Sequence, residues 1–348
     1  MAGSRDKLLP ADGMWELHNQ TPFLAERTFV VDKDGARHWV VVVKATFDIL
    51  PDGTTAIAEE PVPVMAAPEF NGDDGVSSLL YEADLAAGKP GTDIIVNGKA
   101  FAPEGRPVTR VSVGLQTPLG NKALTVHGDR VWERGVTGQL QPSMAQPFVE
   151  MPIVYERAFG GFDQQDPDPD KHRLDDRNPV GTGFYTSRAH RRDQLLPNVE
   201  HVSDPGSNAP PPGYGAVSPH WLPRRPLFGT YDAAWLEHRK PLLPKDFDPR
   251  ALLCAPVDQQ VIPHLRGGES FGVMNMNPKG TVRFTLPKHY FGFTTYIGKT
   301  QREHRAKINT VIIEPEHPRV IVVWHSSLAC HKEIDDIDFT HIAEKQYV

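Results

Sequence analysis

The sequence predicts a mainly β protein: an antiparallel sandwich or distorted barrel with a long irregular Gly/Pro-rich insertion and a few short helices. Three observations predict it. The 348 residues include 33 prolines and 29 glycines, well above the usual combined share of about 12%. Proline fixes φ and removes a donor, so long helices are excluded through most of the chain. Three pairs of β-branched runs face each other across turn residues, and no heptad run or internal repeat competes with that reading.

The first pair is Glu26–Asp32 and Arg37–Leu50, joined by Lys33-Asp34-Gly35-Ala36. Asp-Gly between such runs is a strong hairpin signal. The unbroken Val40–Val43 block predicts a strand buried on both faces. Ser77–Leu85, with leucines at 79, 80 and 85 and Ser77 as cap, reads as a short helix. Asp93–Phe101 reads as one strand, and Val108–Val126 as a hairpin turning at Pro118–Asn121. Residues 159–226 lack hydrophobic periodicity and hold the polyproline stretch Asn208–Tyr214. Their aromatics, among them Phe162, Phe184, Tyr185, Tyr214 and Trp221, predict an irregular but ordered segment. Asp232–Lys240 predicts a second helix. Arg283–Leu286 and His289–Ile297 are weaker strands, and Ile308–Ile313 with Val320–Trp324 form a third hairpin around Glu314–Arg319. Asp336–Tyr347 reads as a terminal helix. The length allows an N-terminal β-rich lobe, 14–150, and a C-terminal β lobe, 151–348, or one continuous domain.

Charge and cysteine content bound the function. The formal net charge is −7, which argues against nucleic acid, where a basic face is expected. No apolar run is long enough to span a bilayer, and the first residues lack a secretory signal. Cys254 and Cys330 stand far apart without a CxxC pair, as suits a reducing cytoplasm.

The chemical motifs fail individually. The acidic loop 163–170 alternates Asp163, Asp166, Asp168 and Asp170, yet Lys171 and Arg177 stand where a calcium loop needs glycine and glutamate. Gly298-Lys299-Thr300 lacks the first glycine of a phosphate loop, because Phe293 occupies its place. Gly181-Thr182-Gly183 lacks the third glycine of a dinucleotide fingerprint. His325, Cys330 and His331 are the nearest metal-type cluster, and their spacing matches no standard zinc signature. Neither HExxH nor GxSxG occurs. No cofactor and no catalytic residue is expected.

Several phrases together carry a resemblance. They are Trp39-Val-Val-Val-Val-Lys-Ala-Thr-Phe47, Tyr81-Glu-Ala-Asp-Leu85, Lys89-Pro-Gly-Thr-Asp93 and Gly128-Asp-Arg-Val-Trp132. Further along stand Tyr155-Glu-Arg-Ala-Phe-Gly-Gly161, Arg177-Asn-Pro-Val-Gly-Thr-Gly-Phe184, Leu196-Pro-Asn-Val-Glu200 and Pro212-Gly-Tyr-Gly215. Gly229-Thr-Tyr-Asp232 with Trp235, Pro244-Lys-Asp-Phe-Asp248 and Gly267-Gly-Glu269 complete the series. In this order they resemble the domain-of-unknown-function family 2169, encoded beside spike and effector genes of bacterial type VI secretion systems. The resemblance runs from about Trp15 to Trp324. It implies a cytoplasmic, non-enzymatic adaptor or chaperone that binds a secreted effector and helps load it onto the VgrG or PAAR spike. It transfers no catalytic residues.

The adaptor reading puts the partner surface on the irregular segment and its neighbour. The expected contacts are Trp221, Arg224, Arg225, Tyr214, Tyr231 and Trp235, since aromatics and arginine are enriched in interface hot spots. Packing of Trp221 beneath the proline segment is the alternative. Glu156, Arg157, Gly160, Gly161, Asp163, Arg177, Asn178, Pro179 and Gly181 are expected to structure the loop, with the charged four forming an internal ion-pair network. Two other functions stay open: a metal-dependent hydrolase using scattered His and Asp, and a carbohydrate-binding β-sandwich.

Overall fold

Fifteen principal strands and one short one, Thr55–Ile57, build the three largest sheets in the computed structural model, which describes residues 15–202, 209–330 and 333–345. In chain order they are β1 (Glu16–Asn19), β2 (Leu24–Val31), β3 (Arg37–Ile49), β4 (Thr92–Val96), β5 (Arg110–Thr117), β6 (Gly120–His127), β7 (Val199–His201) and β8 (Gln260–Val261). Then come β9 (Ser270–Asn277), β10 (Gly280–Thr285), β11 (Phe291–Ile297), β12 (Thr300–Arg305), β13 (Lys307–Glu314), β14 (Arg319–Ala329) and β15 (Ile337–Glu344).

The seven-stranded sheet runs β8-β4-β13-β14-β3-β2, with Thr55–Ile57 paired to β3 as its seventh strand. The five-stranded sheet runs β7-β6-β5-β9-β10, and the four-stranded sheet β1-β15-β11-β12. Within these sheets, pairing is antiparallel except for β4 with β13 and β1 with β15. The fold is mainly β, as expected.

All three hairpins form. Between β2 and β3, the Asp32 carboxylate accepts the amides of Asp34 (2.9 Å) and Ala36 (2.8 Å), while Gly35 takes φ 91°. Val40–Val43 are buried on both faces of β3. The large core cluster draws Trp39, Val41, Val113, Leu124, Phe293 and Ile342 from all three sheets. A buried polar chain crosses it. The Trp39 indole donates to Thr340 Oγ1 (2.9 Å), which meets Thr295 Oγ1 (2.8 Å), which meets His304 Nε2 (2.7 Å). The other ring nitrogen of His304 bonds Ser326, so each buried hydroxyl has a partner.

Three expectations are corrected. Ser77–Leu85 is not a helix; Leu79–Tyr81 is a strand pairing with Glu69–Phe70. Leu79 and Tyr81 point inward with period two, and the Tyr81 hydroxyl bonds Glu314 on β13. Residues 337–344 form β15 rather than a helix, because β1 and β11 take both its edges. The strand expected over Asp93–Phe101 breaks at Asn97-Gly98, where Asn97 Nδ2 donates to Leu80 O at 2.9 Å, and Lys99–Phe101 pairs with Glu150–Pro152 instead. A boundary near residue 150 separates no sheets: the seven-stranded sheet takes β2, β3 and β4 from before it and β8, β13 and β14 from after it.

Candidate functional site

An open groove of about 590 Å³ crosses the face of the seven-stranded sheet. Its floor is built from β3, β13 and β14, whose alternation turns His38, Asn309, His325 and Ser327 to this face. Its far wall is irregular chain between residues 228 and 252, contributing Phe228, Leu243, Phe247 and Leu252.

That wall is fastened at several points. The short helix α1 (Ala233–His238), close to the one expected, is capped by Asp232, whose Oδ1 accepts Trp235 N at 2.8 Å. Arg239 donates to the Lys33 carbonyl and to Asp34 Oδ1 (3.0 Å), tying the wall to the β2–β3 turn. Trp235 Nε1 donates to Leu242 O at 2.8 Å, and Phe228 meets Phe247 edge-on at 6.2 Å.

The groove's histidines are held in place. His38 lies 3.2 Å from both Asp32 Oδ2 and Ser327 Oγ. His325 Nε2 donates to Ala86 O at 2.7 Å, and burial, with the Lys89 charge adding to it, pushes this ring down to about 4. His264 Nε2 meets Lys89 O at 3.1 Å, and burial first, then the Lys307 charge, lowers its proton affinity.

At the back of the groove lies a buried ion-pair cluster. Lys89 Nζ is 2.6 Å from Asp93 Oδ2 and 2.9 Å from Thr310 Oγ1. Burial disfavours this ammonium's charge; Asp93 overrides it and keeps the proton on. Asp93 also accepts the amides of Cys254 and Ala255, each at 2.9 Å. Burial and the adjacent carboxylate push the Cys254 thiol up, which makes it a poor nucleophile. Lys44 and Asp84 pair nearby at 2.7 Å.

Past Arg305 and Lys307 the surface opens into a second groove of about 620 Å³, lined by Leu265, Arg266, Tyr290, Phe291 and Lys345. Arg305, Lys307 and His264 line both grooves. The junction exists because the chain leaves the four-stranded sheet at the end of β12 and enters the seven-stranded sheet at the start of β13, with Ala306 between.

The expected contact surface is corrected in part. Tyr214 is buried, its hydroxyl donating to Val113 O (3.2 Å) and Lys122 O (3.3 Å). Trp221 is buried edge-on against Tyr155, with centroids 5.5 Å apart. Arg224 is buried as well, held by Glu82 (2.7 Å), Ala251 O and Val217 O. A proline-rich segment without periodicity uses its aromatics as anchors into the core, so these three are not free for a partner. Arg225 and Tyr231 are exposed and Trp235 is half-buried; Tyr231 and Trp235 stack edge-on at 4.7 Å.

The loop-structuring residues anchor separately rather than as one network. Glu156 accepts Ser78 N and Oγ, each at 2.7 Å. Arg157 donates to Asn198 Oδ1 at 3.0 Å, and Arg177 grips Asp175 through two bonds of 2.8 and 2.6 Å. Asp163 accepts His190 Nδ1 (2.9 Å), Thr186 N and Thr186 Oγ1. Burial opposes its charge, and those bonds win, holding it well below the usual carboxylate range. Asn178 is buried, its side chain donating to Tyr155 O at 2.8 Å and Phe159 O at 3.1 Å. Pro179 is half-buried in the turn that follows. Gly161 N and Gly181 N both donate to Asn178 O, and Gly160 takes φ 153° with no room for a side chain against that carbonyl.

His325 and Cys330 lie in different surroundings. Strand alternation turns His325 toward the groove, while Cys330, just past β14, belongs to the core on the other side. His331 lies outside the described residues. Among the described residues, no group of three or more His, Cys, Asp or Glu is arranged to hold a metal ion. In the acidic loop, Asp166 and Asp168 each accept an amide two residues on, at 2.9 and 3.1 Å.

The family model described as "Uncharacterized protein conserved in bacteria (DUF2169)" matches residues 34–325. The chain belongs to this family. No curated protein and no solved structure matches it. The matched span contains most of the first groove's lining, from Asp34 to His325, and the Arg305–Lys307 junction. No helix among the described residues is long and apolar enough to cross a membrane.

Sequence reasoning missed the junction. The signal lies in Arg302-Glu-His-Arg-Ala-Lys307, a polar run feeding straight into the apolar Ile308–Ile313.

Proposed function

We propose that the chain is a non-enzymatic cytoplasmic adaptor that binds a type VI secretion effector and helps load it onto the VgrG or PAAR spike. The motif series resembling that family supports the reading. The observation that carries it is the pair of open grooves meeting at Arg305 and Lys307, with apolar walls on either side. Peptide-recognition surfaces combine apolar grooves with a few placed charges. At the back of the first groove, Lys89, Asp93 and Cys254 satisfy one another.

The test is co-expression of the tagged chain with the effector and spike encoded beside its gene. A stable complex surviving purification is expected, together with loss of effector secretion when the adaptor gene is deleted. Failure to co-purify with either protein, alongside normal secretion in the deletion strain, would overturn the reading.

A further inference from the structure

We propose that the two grooves together receive one extended acidic peptide segment, its carboxylates seated on Arg305 and Lys307 and its apolar side chains on the walls to either side. This rests on the adaptor reading for the source of the segment, a stretch of the effector.

The charges point to it first. The chain carries an excess of acid over base, and several basic side chains around the groove are spoken for: Lys33 by Asp34, Lys89 by Asp93, Arg239 by Asp34. Arg305, Lys307 and Arg266 are exposed and have no ion-pair partner among the described residues. These three unpaired cations make a positive centre on an acidic protein. A complementary anion steers encounter and fixes register there.

Shape selects the class of anion. Phe228, Leu243 and Leu252 wall one side of the centre, and Leu265 and Tyr290 the other. A free phosphate leaves both apolar walls unused. A nucleic acid strand carries a charge on every backbone unit, which three cations do not match and a protein of net charge −7 repels. An extended peptide with one or two carboxylates between apolar residues uses every part. The grooves are open along their length, so a chain can lie through them without threading.

The experiment selects a displayed library of short random peptides on the intact protein, and measures affinity for the synthesised consensus by fluorescence anisotropy. Enrichment of Asp or Glu flanked by apolar residues is expected. Binding should weaken roughly tenfold or more in Arg305→Glu/Lys307→Glu, and less in Arg305→Gln/Lys307→Gln. Both sites are exposed, and unchanged melting temperatures will show that the variants fold. A neutral or basic consensus, no enrichment, or a consensus indifferent to charge reversal would overturn the assignment. So would tighter binding of a single-stranded oligonucleotide to the same two residues. Capture of the full effector separates this from the adaptor reading: equal capture by wild type and the charge-reversed variant sinks the peptide seat and leaves the adaptor standing. Acidic peptide binding without effector capture does the reverse.

Discussion

The Lys44 ammonium lies 2.7 Å from the Asp84 carboxylate, and both side chains are almost completely shielded from water. The same carboxylate accepts Met65 N at 2.8 Å, so it ties β3 to two loop segments at once. Removing one partner leaves a buried charge uncompensated, which costs roughly 3–5 kcal/mol. Asp84→Ala is therefore expected to lower the urea midpoint sharply. An unchanged midpoint would show that Lys44 finds water or another acid.

Trp221 provides a second test, because its position decides what the irregular segment does. Buried against Tyr155, it anchors that segment to the core. Trp221→Ala should cost roughly 3–5 kcal/mol of folding stability. Arg225→Ala removes only an exposed pair with Asp176 and should cost under about 1 kcal/mol. Thermal melts of the two variants check the contrast; similar losses would contradict it.

Acid should destabilise the protein through two histidines. Burial pushes His304 and His325 from an ordinary 6.5 down to about 4. Above the ordinary value both are neutral, folded or unfolded, and cost nothing. As pH falls from there toward 4, the unfolded chain takes protons that the folded chain refuses, so stability drops. The full loss, on the order of 3 kcal/mol per histidine, is reached below the folded value. Asp163, held low by its bonds to His190 and Thr186, adds its loss at more acid pH. His304→Gln should flatten the upper part of that slope in chemical denaturation; an identical slope would contradict the assignment.

Gly181 sits where a side chain cannot. A Cβ there would lie 2.4 Å from Asn178 Nδ2, 2.7 Å from Gly160 Cα and 2.8 Å from Ala158 O. Gly181→Ala must displace Asn178, whose bonds hold the Tyr155–Phe159 turn. Limited proteolysis should then cut within residues 159–186 faster than in the wild type. Gly138→Ala, at φ 80° in open space, carries only its backbone cost and should leave that segment intact.

The hairpins were legible because each of their signals is local: Asp34-Gly35 for the turn, Val40–Val43 for the doubly buried strand. The errors arose where a distant partner decides. Leu79–Tyr81 becomes a strand through Glu69–Phe70 and the bond from Tyr81 to Glu314, and β15 through strands at both ends of the chain. β12, Thr300–Arg305, reads as polar and escaped notice because it is an exposed edge strand paired, among the described residues, to β11 alone. Tyr214 and Trp221 face inward for a reason composition does not carry, since an aperiodic segment does not announce which side is covered. The groove escaped for the same reason. Its floor, its wall and its cations come from β3, residues 228–252 and the β12–β13 crossover, which meet only in the fold.

The central claim is that a partner seats on the groove at Arg305 and Lys307. Amide hydrogen exchange of the chain, alone and with its co-expressed effector, tests it most directly. The account requires new protection concentrated in three stretches: Val30–His38, residues 228–252 and Arg305–Asn309. Protection confined to other surfaces, such as the outer edge of β10, with these three stretches exchanging as in the free protein, would contradict it.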